Sequence, residues 1–210
     1  LGLAGVLRLP TVLPLLAVLF VTTVISRAFG LIVPLFVREL AAGSAALGRM
    51  SGLTVSLGAF AEAVSAMLVG WLSIRFKASR VLMLSLVGSV LLVLPMTIIV
   101  TPRAFLALRI LSGLAAGGVI TLCYAMGGAM FPDENRAFGY SVFSSAAMLG
   151  GAAGPVLSGV LSWSVGVRSN FAAIALLYGV LAFVVALGLR HRDAALPHPT
   201  ESVPYMPLPR

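Results

Sequence analysis

Charged residues are scarce in this chain. Only 10% of its 210 residues are Asp, Glu, Lys or Arg, whereas 60% are hydrophobic and the mean hydropathy is +1.11. A soluble domain carries about 25% charged residues, so this chain has too little polar surface to cover itself in water. The scarcity excludes an ordinary soluble domain and favours burial in lipid.

Cysteine and histidine are almost missing as well. The single cysteine, Cys123, excludes a disulfide framework or a cysteine zinc site within the chain, and we expect it to be a packed thiol. Both histidines, His191 and His198, follow the last hydrophobic stretch, so no serine within the stretches has a histidine base in reach. We therefore expect neither an enzyme nor a bound cofactor or metal.

Long hydrophobic runs are what the chain does have. About 20 apolar residues in helical form cross a bilayer core of roughly 30 Å, and six such runs follow one another with short links. The predicted spans are Thr11–Val37, Met50–Ser73, Arg80–Val100, Ala104–Met130, Phe138–Trp163 and Asn170–Leu189. The prediction is an all-α membrane protein with a transmembrane bundle over residues 11–190. Residues 1–10 are expected to be a cytoplasmic lead-in and residues 191–210, rich in proline, a disordered cytoplasmic tail.

Basic residues set the expected orientation. The net charge of +8 does not indicate nucleic-acid binding, because most basic residues flank the spans instead of clustering on one face. With six spans, both termini share one side of the membrane. That side holds Arg8, Arg75, Lys77, Arg80, Arg136, Arg190, Arg192 and Arg210, against Arg38, Arg49, Arg103 and Arg168 on the other. This excess predicts cytoplasmic termini in the cell (inner) membrane. Since the chain begins with Leu1, we expect a piece of a longer polypeptide.

The six spans divide into two similar sets of three. The first and fourth each contain an arginine, Arg27 and Arg109, and the third and sixth contain no charge in their central parts. The second and fifth end alike, as Gly-Trp-Leu-Ser from Gly70 and Gly-Val-Leu-Ser from Gly159. Three-plus-three internal repeats recur in transporters, whose substrate sites lie near the midplane. The order of segment types predicts such a repeat here.

Three charges lie inside the predicted spans: Arg27, Glu62 and Arg109. Arg27 and Glu62 each lie roughly 15–18 Å from the non-cytoplasmic end of their spans at 1.5 Å per residue, so the two side chains are predicted to be able to pair. Glu62 is then either a proton carrier or half of a permanent structural ion pair. Arg109 is expected either to face a cavity or to reach the membrane interface.

Glycine spacing and aromatic residues supply the remaining candidates. Small residues at Gly113 and Gly117, and at Gly150 and Gly154, allow helices to approach closely, and Pro155 is expected to bend its helix. Helix packing alone also accounts for these glycines. Four side chains are candidates for lining a pocket for apolar substrates, although each can equally face lipid or a neighbouring helix. They are Phe29, Tyr124, Phe143 and Met148.

Several segments resemble the major facilitator superfamily. Residues 70–80, GWLSIRFKASR, resemble its G-x-L-a-D-R-x-G-r-k-x loop signature, with Ile74 and Lys77 at the usual Asp and second Gly. The matching residues are Gly70, Leu72, Arg75 and Arg80. Residues 106–117 resemble the l-x-x-R-x-x-q-G-x-g pattern, in which Arg109 and Gly113 match and the arginine is associated with proton coupling. The glycines before and after Pro155 resemble the antiporter G-x-x-x-G-P motif, and residues 34–40 are similar to the end of the seventh helix in drug:proton antiporters.

The resemblance implies a fold and a function. It covers about residues 8–192 and best matches the carboxy-terminal six-helix half of a twelve-helix transporter of the drug:proton antiporter branch. The expected function is half of a proton-coupled exporter of small hydrophobic or cationic compounds. Its expected partners are the lipid bilayer, substrate, protons, and either the missing amino-terminal half or a second copy. The alternative is a fragment or membrane scaffold with no activity of its own.

Overall fold

Six long helices make up the fold. The computed structural model describes residues 12–40, 47–131 and 133–190. The helices are α1 (Val12–Leu40), α2 (Leu47–Arg75), α3 (Ala78–Val93), α4 (Pro102–Gly128), α5 (Arg136–Val165) and α6 (Val167–Arg190). Each is long and apolar enough to cross a bilayer, α3 together with the turn that follows it, and the described residues contain no strand. The predicted all-α fold with six membrane-spanning helices is confirmed. Residues 1–10 and 191–210 lie outside the described part of the chain.

Proline and glycine set the helix ends. Helix α3 stops at Val93 and continues as a short 3-10 turn, Leu94–Thr97, because Pro95 has no N–H with which to continue the α-helical ladder. Helix α4 begins at Pro102, where the missing N–H costs nothing. Gly166 separates α5 from α6 with a φ of 102°, a backbone conformation that favours glycine. The third span is therefore α-helical over a shorter length than the sequence predicts.

The packing of the helices reflects the predicted repeat. The most extensive helix contacts are those of α2 with α4 and of α1 with α5. In the repeat, α1, α2 and α3 correspond to α4, α5 and α6. The pair of α2 with α4 therefore corresponds to the pair of α5 with α1. Helices α3 and α6 also pack together, as do α1 and α4, and each of these pairs corresponds to itself. The three-plus-three architecture is thus present in the tertiary contacts.

Helices α1 and α6 supply much of the apolar core. In α1 the buried residues include Ile25, Ile32 and Phe36. The rings of Phe36, Phe105 and Phe171 meet edge to face, with centroids 4.8–5.6 Å apart, and join α1, α4 and α6 at one end of the bundle. This apolar cluster holds α1 and α4, which carry Arg27 and Arg109, against α6.

Several hydroxyl groups inside the bundle, though not that of Thr22, bond to their own helices. The Thr23 Oγ1 donates to the carbonyl of Leu19 at 2.7 Å, and the Ser89 Oγ donates to the carbonyl of Ser85 at the same distance. Such back-bonding satisfies a polar group where no bulk water is present. Serine and threonine can therefore be carried within these helices without a second helix to receive them.

Arg168 joins three helices at the end where α6 begins. Its Nε donates to the Glu39 carboxylate of α1 at 2.9 Å. Its Nη1 donates to the carbonyls of Thr97 and Ile99, at 3.1 and 2.9 Å, in the segment after α3. The guanidinium also lies 5.1 Å from the centre of the Phe36 ring. One arginine thus fastens α1 and the end of α3 to α6.

Removing the Arg168 side chain is expected to weaken the bundle more than removing its charged partner. Arg168→Ala loses two charge-assisted bonds to carbonyls and should cost about 1.5–3 kcal/mol of unfolding free energy. Glu39→Gln removes only a half-exposed ion pair and should cost less than about 1 kcal/mol. Unfolding in mixed detergent micelles, followed by helical circular dichroism, measures both. Equal losses for the two variants would show that the ion pair, and not the carbonyl bonds, dominates.

Candidate functional site

Helices α2 and α4 approach so closely that their backbones touch. A Cβ atom at Gly113 would lie 2.8 Å from the carbonyl oxygen of Gly58, and one at Gly117 would collide with the backbone of Glu62. The Gly118 N–H also donates across the interface to the Ser65 Oγ at 3.1 Å. The glycines predicted to allow close packing therefore do so at this interface, and Glu62 lies within it.

An ion pair spans this interface. The Arg109 Nη2 of α4 donates to the Glu62 Oε1 of α2 at 2.7 Å. Glu62 lies near the middle of α2, about 20 Å from either end at 1.5 Å per residue. Ionised groups at that depth are expensive unless they face a partner or a cavity. Here each group supplies the other's counter-charge.

Arg109 is almost completely enclosed. Only 6% of the residue is exposed, and its guanidinium lies 4.5 Å from the centre of the Phe29 ring of α1. It also lies against Gly58, where a Cβ atom would come within 2.9 Å of the Arg109 Cζ. Glycine at position 58 thus makes room for the guanidinium. Arg109 faces the bundle interior and does not reach the membrane interface.

The ion pair borders a small polar cavity. The cavity measures about 30 Å³, room for one or two water molecules. Its polar lining comes from four helices and is made of Thr22, Ser26, Glu62, Arg109, Ser112 and Tyr178. Glu62 is the more accessible residue of the ion pair, with 28% of its side chain exposed against 7% for Arg109. Within the described ranges, no three His, Cys, Asp or Glu side chains gather as metal ligands would.

The predicted pairing of Arg27 with Glu62 is wrong. Glu62 bonds to Arg109, and the described residues show no ion pair or hydrogen bond of Arg27. Arg27 is exposed on α1 and its side chain lies against α5, where a Cβ atom at Gly151 would be 3.8 Å from the Arg27 Nε. The depth estimate was compatible with pairing, but α1 turns Arg27 towards α5 and away from α2.

The internal repeat identifies the residue that stands opposite Arg27 where Glu62 stands opposite Arg109. Glu62 stands eight residues before Gly70, and Gly151 stands eight residues before Gly159, which begins the matching Gly-x-Leu-Ser segment. Gly151 is therefore the repeat counterpart of Glu62, as Arg27 is of Arg109. Arg109 faces Glu62 and Arg27 faces Gly151. Of these two corresponding positions, only the one in the first three helices carries an acid.

The second glycine pair packs against α1. A Cβ atom at Gly150 would lie 2.5 Å from the carbonyl oxygen of Phe20, and one at Gly154 would lie 2.5 Å from that of Val24. Pro155 follows within α5 and offers no N–H to the carbonyl of Gly151. Both predicted glycine pairs thus lie at the two most extensive interfaces.

The four aromatic and sulfur candidates do not share a pocket. Phe29 lines the polar cavity beneath Arg109. Phe143 is buried against Tyr124 and Phe131, with ring centroids 6.2 and 6.4 Å away, so it is packed core. Met148 is 74% exposed on the outer surface of α5. Sequence alone does not tell which face of an apolar helix points inward, and three of the four candidates lie outside the cavity.

The loop signature occupies the turn between α2 and α3. Arg75 is the last residue of α2, and its guanidinium lies 4.8 Å from the centre of the Trp71 ring. Leu72 is partly buried against the core, whereas Gly70 and Arg80 are exposed. None of these residues borders the polar cavity. The signature therefore forms a tight connection at the end of the bundle, apart from the ion pair.

Sequence analysis missed Gly58, Thr22 and Tyr178. Gly58 precedes Glu62 by one helical turn, a spacing that makes room beside the acid. Thr22 and Tyr178 line the cavity from α1 and α6, and both are 2% exposed. A lone threonine and a lone tyrosine in apolar helices carry no distinguishing pattern. Only the Gly58 spacing was visible in the sequence.

Comparison with known proteins gives one consistent answer. The model of the Major Facilitator Superfamily matches residues 15–208. Multidrug resistance protein MdtG from Salmonella arizonae, Salmonella newport and Salmonella choleraesuis is 33% identical over 171 residues, which is 79% of this chain and 41% of each relative. The chain therefore spans less than half the length of these relatives. With six membrane-spanning helices in a three-plus-three arrangement, it belongs to the major facilitator superfamily.

Proposed function

We propose that this chain is one half of a proton-coupled secondary transporter that exports small hydrophobic or cationic compounds by alternating access. Family membership supports a transporter over an enzyme. The relatives carry the name multidrug resistance protein, which supports export of varied small molecules. The proposal of proton coupling depends on one observation, the ion pair between Glu62 and Arg109 inside the bundle.

The ion pair is suited to binding a proton. An acid at the middle of the membrane can gain a proton and lose its charge, whereas arginine stays charged. Protonation of Glu62 would weaken its bond to Arg109 and so loosen one polar link between α2 and α4. Because the glycines leave the two backbones in contact, a change in this link would be transmitted directly to the helix interface. This is how proton binding would bias one arrangement of the bundle.

A second half is needed to complete the transporter. Helices α2 and α5 are the least buried of the six, and they are repeat counterparts. Their exposed apolar side chains include Phe60, Met67, Met148 and Leu157. We propose that part of these faces meets an amino-terminal six-helix half or a second copy and that the rest faces lipid. Arg27 is exposed near the middle of α1, where a companion half would shelter it.

Orientation and location follow the basic residues. We propose that the α2–α3 and α4–α5 connections and both termini face the cytoplasm, in the inner membrane. Arg75, Lys77 and Arg80 lie in or beside the first connection, which accords with the excess of positive charge on the cytoplasmic side.

Transport of a cationic dye into everted membrane vesicles tests the proposal. The chain is expressed alone and together with the amino-terminal half of an MdtG relative, and dye-driven proton flux is recorded. We expect flux only with both halves and none when Glu62→Gln replaces the wild-type chain. Arg27→Gln in the same paired chain is expected to retain the dye-dependent signal, because Arg27 takes no part in the ion pair.

The alternative is a membrane scaffold without transport of its own. The match covers only 41% of the relatives' length, and a half-length chain can insert into the membrane without transporting. It predicts stable insertion into the membrane and no dye-dependent flux with either the companion half or a second copy. That result would contradict the transport proposal.

A further inference from the structure

Two buried polar atoms at the cavity have no hydrogen-bond partner among the described residues. They are the Thr22 Oγ1 and the Arg109 Nε. Thr22 is 2% exposed and Arg109 6%, and both line the same cavity. A buried hydroxyl or N–H without a partner costs about 1–3 kcal/mol. Two such atoms on one cavity point to a common ligand with both donor and acceptor capacity.

The cavity suits water in size and lining. Its 30 Å³ accommodates one or two water molecules. The Arg109 Nε can only donate, whereas the Thr22 hydroxyl can donate or accept, so water can serve both. A small anion would suit the guanidinium but would meet repulsion from the Glu62 carboxylate on the same wall. We propose that this cavity is an internal water site bound by Arg109 and Thr22.

The water site would also make Glu62 able to change charge. Its charged and titratable neighbours are Arg109 of α4 and Tyr178 of α6, while α1 presents Ser26 and the Phe29 ring there. When Glu62 becomes neutral, Arg109 loses its counter-charge. A water molecule can reorient to direct its oxygen at the guanidinium, which lowers the cost of that state. This role rests on the proposed proton coupling, whereas the water site itself does not.

Water at this site would also carry protons to Glu62. A hydrated proton that enters the cavity would pass one proton to the free Glu62 carboxylate oxygen and remain as neutral water. The reverse step would regenerate the carboxylate. No other reactant is required, and the partly exposed side of Glu62 provides a route to the surface.

Radiolytic hydroxyl labelling of the purified chain in lipid nanodiscs tests the site. Synchrotron pulses split bound water and modify the side chains beside it. Tyr178, at 2% exposed, should be hydroxylated although it is shielded from bulk solvent. The fully buried Phe105 and Met96, which do not line the cavity, should remain unmodified. Labelling of all three residues alike would indicate general breathing of the bundle and would overturn the proposal.

Two variants make the test specific. Ala116→Val places methyl groups on the cavity wall, and Thr22→Val removes a hydroxyl while keeping the side-chain shape. Both should reduce Tyr178 labelling. Thr23→Val is the matched control, since the Thr23 hydroxyl already bonds to Leu19, and it should leave labelling unchanged. Unchanged labelling in both cavity variants would contradict a water site even if proton-coupled transport is intact. Loss of labelling in them would support the site even if transport is never observed.

Discussion

Replacing Gly117 with alanine is expected to destabilise the bundle strongly. A Cβ atom there would collide with the carbonyl oxygen, the Cα and the carbonyl carbon of Glu62. Backbone atoms of a packed helix cannot turn aside as a flexible side chain can, so α2 and α4 must separate. Overpacking of this kind costs about 1–3 kcal/mol, and we expect the upper part of that range. Unfolding in mixed micelles, followed by circular dichroism, measures the loss.

Gly70→Ala is the matched control for that substitution. It adds the same methyl group to a glycine in α2, but no atom lies within 4 Å of the added Cβ. Alanine is preferred over glycine within helices by about 0.5–1 kcal/mol, so the control should not lose stability. Equal behaviour of the two variants would show that α2 and α4 are not in backbone contact.

Breaking the ion pair from one side is expected to cost more than removing it. Glu62→Leu leaves Arg109 buried without a counter-charge, which typically costs about 3–5 kcal/mol. Adding Arg109→Met removes the stranded charge and should recover most of that loss, because apolar replacements of buried pairs are often neutral or stabilising. The unfolding free energies of the two single variants and the double variant form a double-mutant cycle that measures the coupling.

Arg27→Met serves as the control for the cycle. Arg27 lies at a comparable depth but is exposed and has no ion pair among the described residues, so replacing it with an apolar residue should not lower the unfolding free energy. Glu62→Leu and Arg27→Met should also be additive when combined. A large coupling between Glu62 and Arg27, with little between Glu62 and Arg109, would contradict the observed pairing.

The helices were predictable because lipid imposes a strong constraint on sequence. Every span needs about 20 apolar residues, so the number of helices and their approximate positions follow from hydrophobicity alone. The end of α3 was less predictable, since Pro95 converts its last turn into a 3-10 helix inside an uninterrupted apolar run. The repeat was also visible, from Arg27 and Arg109 and from the segments at Gly70 and Gly159.

The partner of Glu62 was not predictable from depth along the chain. Consecutive helices are natural first candidates for contact, yet α2 packs most extensively against α4. The partner is determined by the close approach of α2 and α4 at Gly58, Gly113 and Gly117, which becomes apparent only once the helices are packed. The cavity lining depended similarly on helix rotation, because an apolar span shows little difference between its inward and outward faces. That is why Phe29 was identified and Tyr178 was not.

The most direct test of the account is proton release on substrate binding. The chain, purified with its companion half in weakly buffered detergent solution, is mixed with a transported cation while a pH-sensitive dye reports free protons. The account predicts release by the wild-type protein and none by Glu62→Gln, with the cation still bound. Undiminished release from the Glu62→Gln protein would contradict Glu62 as the proton-binding group.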